Sequence, residues 1–433
     1  MRPKPVPEQI KVETANENEL IGTIKKRKDL IISFVVGLVY YFSDPKPQSY
    51  YDYTFRVAES LLHGSVGIAV QPPSWVNEFV PFDGVWYSVF PLGAVLSMIP
   101  AALLKTIGIV GDMPGSLIAA LLAMAICLFL LKIASRHDLG WGKQILIVMG
   151  VLFGTFMWTN MAFAGAWQLA LGFAMLGELG AIYFTIYDRR PFVAGLFFAI
   201  AFGNRTENLL TAPIFLYLLN RGTAETDKKD VSFKNKVSPH ISTTFSPDPV
   251  RTAWFCAVPF VLGVATLGYN YVRFHSFTDF GYARIPGVLQ EPWYDHGIFS
   301  TYYIPRQAWE MLGKMWEWHD KFPYLLPDRF SSSILLSSPW IILMLRTDAK
   351  DSAIKLASWT ALAVLTFLLW IHGNSGGWQF GYRYAMVLLP WIFVIMLRSA
   401  PKRITRPEWA LYGISFAANI YATWLFCWTD QMK

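Results

Sequence analysis

Long apolar segments recur along almost the whole of this chain, and they limit its fold more than any other feature. Hydrophobic residues make up 54% of the 433 residues and charged residues only 15%, whereas about a quarter of a soluble domain is usually charged. Backbone polar groups inside a bilayer must be satisfied within the protein, which favours helices. The sequence therefore predicts an all-α polytopic membrane protein with one transmembrane domain over residues 24–427 and a disordered cytoplasmic tail over residues 1–23.

The charges between the apolar segments predict how the chain crosses the membrane. The segments cover residues 30–42, 88–106, 115–133, 144–162, 165–186, 192–202, 209–219, 251–271, 331–346, 354–371, 384–398 and 408–427. Lysine and arginine stay on the cytoplasmic side. If 88–106 crossed, Lys132 and the cluster Asp188-Arg189-Arg190 would lie outside. This segment, which Pro91 and Pro100 interrupt, is therefore predicted as an external juxtamembrane helix, which leaves about eleven transmembrane helices.

The same rule predicts the location of each loop. The basic run 25–28 precedes the first segment, so the N-terminus is predicted to be cytoplasmic and the protein to be multi-pass in the inner (plasma) membrane. Residues 43–114 and 273–330 become external loops, and residues 221–250 a flexible cytoplasmic linker. Most of the net charge of +7 lies in short loops, so it indicates orientation in the membrane and no nucleic-acid partner.

Two short apolar arms, Phe192–Phe202 and Leu209–Leu219, meet at a polar turn that contains Arg205 and Glu207. At about 1.5 Å per helical residue each arm reaches about 17 Å, about half of a 30 Å hydrocarbon core. Charges at this depth are costly unless they line water, bind a ligand or pair. The sequence leaves two interpretations, a structural ion pair at a kinked hairpin or a polar binding site, and the binding site is favoured.

The first external loop offers candidate carboxylates. Apolar residues in the stretch 50–64 follow a helical period, which predicts an amphipathic helix that stops near Gly64. Asp52 stands at its start, where it is either a helix-start carboxylate or a catalytic base. Asp44 is the second candidate base, although Pro45 favours extended geometry there. Glu78 is read as a second acid, a metal ligand or an ordinary loop charge.

At these residues the chain resembles the GT-C membrane glycosyltransferases, especially the branch of protein mannosyltransferases and aminoarabinose transferases with its uncharacterised bacterial members. That family carries an Asp-Glu pair after the first span, and here Asp52 is followed by Tyr53. Its Pro-Pro-Leu piece matches Phe90-Pro91-Leu92. The further matching pieces are the helix around Ala58, Asp83–Tyr87, Tyr269–Tyr282, His296–Tyr303 and Gly377–Arg383.

The resemblance implies an inverting transfer of a sugar from a polyprenyl-phosphate carrier to an acceptor hydroxyl on the external face. Asp52 would take the proton from that hydroxyl. The leaving phosphate gains negative charge, which guanidinium groups stabilise well. The residues predicted to bind substrate are Arg205 and Arg383, and with weaker support Lys46, Arg273, Glu78 and Glu207. The partners are then the lipid-linked donor, membrane lipid and an acceptor of unknown class.

No cofactor is predicted. None of the seven histidines pairs with cysteine or another histidine at ligand spacing, although carboxylates such as Asp52 and Glu78 leave a divalent metal open. The cysteines Cys127, Cys256 and Cys427 lie in apolar runs and indicate no disulfide framework. Two other functions stay open, namely a transporter or lipid-linked-sugar flippase with its site at the broken helix, and a noncatalytic scaffold.

Overall fold

The computed structural model describes residues 27–45, 51–73, 78–223, 241–346 and 352–432. The predicted tail 1–23 and the candidate ligand Lys46 lie outside these residues. The α-helices are α1 (27–41), α2 (Tyr53–Leu62), α3 (Leu92–Thr106), α4 (Gly115–Ala134), α5 (Trp141–Phe153), α6 (Met157–Ala162), α7 (Ala166–Ile182), α8 (Pro191–Asn204), α9 (Ala212–Leu219), α10 (Pro249–Phe274), α11 (Ile304–Ala308), α12 (Ile334–Ser337), α13 (Ser352–Ile371), α14 (Leu389–Ser399) and α15 (Arg406–Thr423).

Five helices of the described chain are long and apolar enough to cross a membrane, by length and composition. Counting their π-helical ends, they run over Gly115–Ala134, Ala166–Tyr187, Pro249–Phe274, Ala353–Ile371 and Arg406–Trp428. The shortest, with 19 residues, reaches about 28 Å, close to the thickness of the hydrocarbon core. Each of the five coincides with a predicted span. The fold is thus consistent with a helical membrane protein, while the count of about eleven spans stays a prediction.

Several predicted spans are not continuous α-helices; in segment 384–398, for example, a 3₁₀ helix, Arg383–Leu388, precedes α14. Segment 144–162 is divided into α5 and α6, and the side chain of Thr155 between them bonds back to the Val151 carbonyl (2.6 Å). Segment 331–346 consists of the four residues of α12 and a 3₁₀ helix, Pro339–Leu345. Serine side chains compete for backbone hydrogen bonds, as Ser333 does at Leu335, and Pro339 cannot continue a preceding helix.

The structure is mostly helical, as expected, and the described residues add three short two-stranded antiparallel sheets that were not predicted. Strands β1 (Phe79–Phe82) and β2 (Val85–Ser88) form a hairpin within the segment predicted as the first external loop. Its two turn residues, Asp83 and Gly84, both have positive φ (50° and 77°), as a tight hairpin turn requires. Strands β5 (Glu317–Trp318) and β6 (Leu325–Leu326) pair in the second external loop.

The predicted flexible linker 221–250 also needs a correction at both of its ends. Strand β3 (Arg221–Thr223) pairs with β4 (Ile241–Phe245), and α10 begins at Pro249. Asn220 connects the two sides, because its side chain donates to Thr252 Oγ1 (3.1 Å) and accepts from the backbone of Asp248 (2.7 Å). Residues 224–240 lie outside the described chain.

Close backbone packing positions α8 at the centre of the fold. A Cβ atom on Gly93 of α3 would overlap the backbone of Gly203 in α8, and one on Gly195 would overlap the Phe255 carbonyl of α10. Small residues let helices in a membrane approach this closely. All eleven residues of α14 are buried. The end of α8, at Asn204, is therefore fixed by helices on several sides.

Candidate active site

The polar turn predicted from the two apolar arms is a true break between helices. Helix α8 ends at Asn204, Arg205 has extended backbone (φ −137°, ψ 99°), and a 3₁₀ helix, Thr206–Thr211, leads into α9. Glu178 of α7 is buried below this turn and accepts hydrogen bonds from Trp391 Nε1 (2.6 Å) and Thr211 Oγ1 (3.4 Å). The turn is therefore held from beneath by α7 and α14.

A cavity of about 720 Å³ opens beside this turn. Its polar lining residues are Arg205 and Glu207 of the turn, Tyr282 of the chain after α10, and His372 and Tyr384 of the chain after α13. Its apolar lining residues include Leu368 and Leu369 of α13, and Phe280, Ile298 and Phe299 of the chain between α10 and α11. The cavity can thus hold a ligand that has both polar or anionic groups and apolar groups.

Arg205 and Glu207 form the ion pair that the sequence allows, and their role in binding stays a prediction. Arg205 Nη2 lies 2.7 Å from Glu207 Oε1, and the two side chains are 19% and 10% exposed. The pair is therefore a real ion pair of the turn. Both residues also line the cavity, so the same pair presents a guanidinium group to whatever enters.

Two aromatic rings connect Arg205 to the next cation and to a carboxylate. The guanidinium of Arg205 lies 4.8 Å from the ring centre of Tyr384, and that of Arg383 lies 5.2 Å from the same ring. Arg383 also lies 5.1 Å from the ring centre of Trp167, whose Nε1 donates to Glu78 Oε2 at 2.7 Å. Three of the predicted binding residues, from three distant parts of the chain, thus share one cluster.

Arg383 is unusually poorly satisfied for a buried cation. It is 4% exposed, and its Nη1 donates to the Gly377 carbonyl (2.7 Å). Its Nε has no hydrogen-bond partner within the described part of the chain. Its Nη2 donates a long hydrogen bond to the hydroxyl of Tyr384 (3.5 Å), which lines the cavity, whereas Arg383 itself does not. A buried unpaired donor is costly, so the guanidinium of Arg383 keeps unused hydrogen-bonding capacity next to the cavity.

His372 and its aromatic neighbours were not predicted from the sequence. The His372 ring lies within 6.5 Å of the ring centres of Tyr282, Tyr294, Phe299 and Tyr384, and its Nδ1 lies 2.7 Å from the Asn374 carbonyl. Burial lowers the pKa of His372 below its usual value. The imidazole is therefore neutral at neutral pH and lines the cavity as a hydrogen-bonding group.

Asp52 stands beside the cluster and, like Glu78 and Arg383, is not among the residues that line the cavity. It precedes α2, is 7% exposed, and its Oδ1 lies 2.7 Å from Arg56 Nε. Burial raises the pKa of Asp52, and Arg56 opposes that rise. Its neighbours in the chain, Tyr51 and Tyr53, both contact the Trp167 ring, at 4.7 and 5.3 Å between ring centres. The residues on either side of Asp52 thus contact the tryptophan that holds Glu78.

Arg273 is occupied by contacts within the protein. It is 1% exposed in α10, where Nη1 donates to the Ser88 carbonyl (2.5 Å) and Nη2 to Asn270 Oδ1 (2.7 Å). Its guanidinium also lies 3.8 Å from the ring centre of Tyr269. These contacts tie the end of β2 to α10, and Arg273 does not line the cavity.

A metal centre has no obvious set of ligands in the described chain. No group of three or more histidine, cysteine, aspartate or glutamate side chains converges there. The three cysteines are free thiols, and Cys127 and Cys427 are buried. The absence of a cofactor stays a prediction.

The comparisons with known proteins give one distant structural similarity. No family model and no curated protein matches the chain. Among solved structures, the oligosaccharyltransferase of Archaeoglobus fulgidus in its apo form matches with 11% identity and a TM-score of 0.39. The match covers 94% of this chain, and the chain spans only 56% of the length of that protein. Similarity at this level does not establish a common fold, so the functional argument rests on the site itself.

Proposed function

We propose that the protein is an inverting glycosyltransferase that moves a sugar from a polyprenyl-phosphate carrier to an acceptor hydroxyl at the external face of the membrane. The observation that carries this proposal is the cavity, whose lining combines the guanidinium of Arg205 with the apolar side chains of Leu368 and Leu369 of α13. A lipid-linked phosphosugar likewise combines an anionic head with a long apolar tail.

The cations of the site suit the leaving group of this reaction. When the bond between the anomeric carbon and the phosphate breaks, negative charge grows on the phosphate oxygens. Guanidinium groups that are already in position stabilise such charge far better in a site with little water than in bulk water. Arg205 lines the cavity, and Arg383, with its unpaired Nε, lies behind the lining, 5.2 Å from the ring centre of Tyr384.

A transporter or flippase of lipid-linked sugars is the second candidate, because broken helices near the membrane midplane are typical of transport sites. The break at Arg205 favours it. Reconstitution in liposomes with a C55 polyprenyl phosphate that carries a tritiated hexose separates the two functions. Transfer of the label to hydroxyl acceptors of the lipid, glycan or peptide class supports the transferase. Movement of the intact donor between leaflets, without transfer, supports the transporter.

Replacement of Arg205 tests the role of the cavity cation. We expect Arg205→Ala to reduce sugar transfer in this assay by about 100-fold or more, since one preorganised charge contributes on the order of 10²–10³ to such reactions. Expression should change little. Arg190→Ala is the matched control, because Arg190 stands at the opposite end of α8 with its side chain 64% exposed.

A second control separates catalysis from the ion pair of the turn. Glu207→Gln removes the partner of Arg205 and leaves the cation in place. If the pair serves only to hold the turn, Glu207→Gln and Arg205→Ala should be equally harmful. A wild-type transfer rate in Arg205→Ala would remove Arg205 from the site altogether.

A further inference from the structure

Glu78 is fixed by its backbone and by its neighbours in the first external loop. It precedes β1, whose first residue, Phe79, is 2% exposed and lies 5.7 Å from Tyr53 between ring centres. The β1–β2 hairpin closes through the tight turn at Asp83 and Gly84. The position of Glu78 therefore depends on a paired strand and a buried aromatic contact.

One oxygen of Glu78 is held and the other is free. Trp167 Nε1 donates to Oε2 at 2.7 Å, and Trp167 is itself fixed at the start of α7, since the Ala166 amide donates to the Tyr51 carbonyl (2.7 Å). Within the described residues no side chain or backbone group bonds to Oε1 of this half-buried carboxylate. Oε1 is thus the oxygen that can accept a proton from a bound molecule.

The charged and titratable groups around Glu78 come from every element packed against it. Arg383, from the chain before α14, and Arg205, from the break after α8, favour the carboxylate, whereas Glu291 of the second external loop opposes it. Tyr282 of the same loop also faces it. Burial outweighs the bond from Trp167 and the two cations, and raises the pKa of Glu78 to about 7.

We propose that Glu78, and not Asp52, accepts the proton of the acceptor hydroxyl, an inference that rests on the proposed transferase function. The hydroxyl oxygen bonds to the anomeric carbon while its proton passes to Glu78 Oε1. The bond from that carbon to the phosphate breaks, and its electron pair leaves with the polyprenyl phosphate. Glu78 then loses the proton to water. No metal, oxidant or further reactant is needed to balance the step.

The contacts of Asp52 are those of a positioning residue. Its Oδ1 is engaged by Arg56 at 2.7 Å, and its chain neighbours Tyr51 and Tyr53 both pack on Trp167. The carboxylate of Asp52 is therefore already engaged by Arg56, while the residues on either side of it help to fix Trp167, which holds Glu78. Glu78 lies closer to the two arginines that suit the phosphate, since Trp167 contacts both Glu78 and Arg383.

The test compares Glu78→Gln, Glu78→Asp and Asp52→Asn in the full chain, reconstituted in liposomes. The probe is the C55 polyprenyl phosphate that carries a tritiated hexose. Its binding is measured without acceptor, and its transfer to lipid, glycan and peptide hydroxyls is measured from pH 5 to pH 9. Melting temperatures of the purified variants monitor folding.

We expect Glu78→Gln to bind the donor like the wild type and to lose about 10²–10⁴-fold in transfer, the usual contribution of a general base. The wild-type rate should fall as the pH drops through about 7, because the protonated carboxyl cannot accept a second proton. The residual rate of Glu78→Gln should lack this fall. Glu78→Asp should keep the decrease of the transfer rate near pH 7 and should be more active than Glu78→Gln. Asp52→Asn should keep the same decrease and should lose less transfer activity than Glu78→Gln.

Two results overturn the inference and leave the proposed function standing. One is a wild-type rate and pH profile in Glu78→Gln. The other is complete loss of transfer in Asp52→Asn with donor binding intact. If Glu78→Gln does not fold, the pH–rate profile of Glu78→Asp is the test. A Glu78→Asp profile that does not decrease near pH 7 contradicts the role of Glu78 as the proton acceptor. A wild-type protein that neither binds nor transfers the donor overturns the proposed function, and this inference with it.

Discussion

Trp167 is the residue at which the cationic side and the carboxylate side of the candidate site meet. One face of its indole lies 5.1 Å from the guanidinium of Arg383, and its N–H donates to Glu78. Tyr51 and Tyr53 pack on the ring and restrict it further. An aromatic side chain with a single polar atom thus fixes two charged groups of opposite sign, through its face and through its edge.

Trp167→Phe separates these two roles, because phenylalanine keeps a ring for Arg383 and the tyrosines and loses the N–H. The lost hydrogen bond favoured the ionised carboxyl, so the pKa of Glu78 should rise from its value of about 7 and fewer carboxylates should be ionised at neutral pH. We expect transfer at pH 7 to fall about tenfold and the acid limb of the pH–rate profile to move to higher pH.

Trp158→Phe serves as the control for this change. Trp158 also donates through its indole N–H, to Ser43 Oγ at 2.8 Å, and lines a separate apolar groove. Its variant should keep the wild-type profile. A profile in Trp167→Phe that matches the wild type would mean that the indole N–H does not act on the titrating group.

Single residues of the site differ in how far the sequence could predict them. Arg205 and Glu207 stand out because a charge in an apolar hairpin needs a reason, and the structure brings both to the cavity wall. Trp167 and His372 carry no such signal, since their contacts depend on helices far apart in the chain. Arg273 was predicted to bind substrate because it lies in a predicted external loop. Its hydrogen bond to the Ser88 carbonyl joins residues far apart in the chain, so the sequence could not predict it.

At the scale of elements, the crossing of α3 and α8 controls where the polar turn lies. Gly93 of α3 and Gly203 of α8 touch through their backbones. Pro91 and Arg205, each two residues away from these glycines, line the cavity. The distance between α3 and α8 is thus set by two residues without side chains.

Gly93→Ala should separate these helices and displace Arg205. Overpacking of a close contact costs about 1–3 kcal/mol, so we expect a lower melting temperature and a transfer rate reduced by about tenfold or more. Gly263→Ala in α10 is the matched control, because a Cβ there meets no heavy atom within 4 Å and alanine favours a helix over glycine. Equal behaviour of the two variants would contradict tight packing at the crossing.

Hydropathy predicted the long elements and failed where side chains compete with the backbone. The spans over 115–133 and 251–271 match α4 and α10 closely. Segment 331–346 is equally apolar in parts, but its serines and Pro339 divide it into α12 and a 3₁₀ turn. The Asp83-Gly84 pair between apolar residues is typical of a β-hairpin turn. The sequence analysis placed these residues in a loop and did not predict the β1–β2 hairpin.

At the scale of the whole molecule, the candidate site and a cluster of basic residues before α8 lie at opposite ends of that helix. Helix α8 runs about 21 Å from Pro191 to Asn204, with Arg190 before it and Arg205 after it. The hairpin returns through α9, since Arg189 donates to the Leu219 carbonyl. At the basic end, Lys143 and Arg346 pair with Glu408, which is fully buried. Bundles with this asymmetry orient their basic end towards the cytoplasm.

This polarity predicts that the site end is external, which cysteine labelling can test. We replace the partly exposed Cys256 by serine and introduce Asp83→Cys at the hairpin turn or Lys402→Cys at the basic end. Both positions are open, with side chains 65% and 66% exposed, and loss of the exposed pair of Lys402 with Asp138 costs about 1 kcal/mol or less. In right-side-out sealed vesicles, a membrane-impermeant maleimide should label position 83 at once, and position 402 only after permeabilisation. The reverse pattern would put Arg205 and Glu78 on the cytoplasmic side and would contradict transfer at the external face. Labelling of both positions in sealed vesicles would contradict a bundle that crosses the membrane between positions 83 and 402.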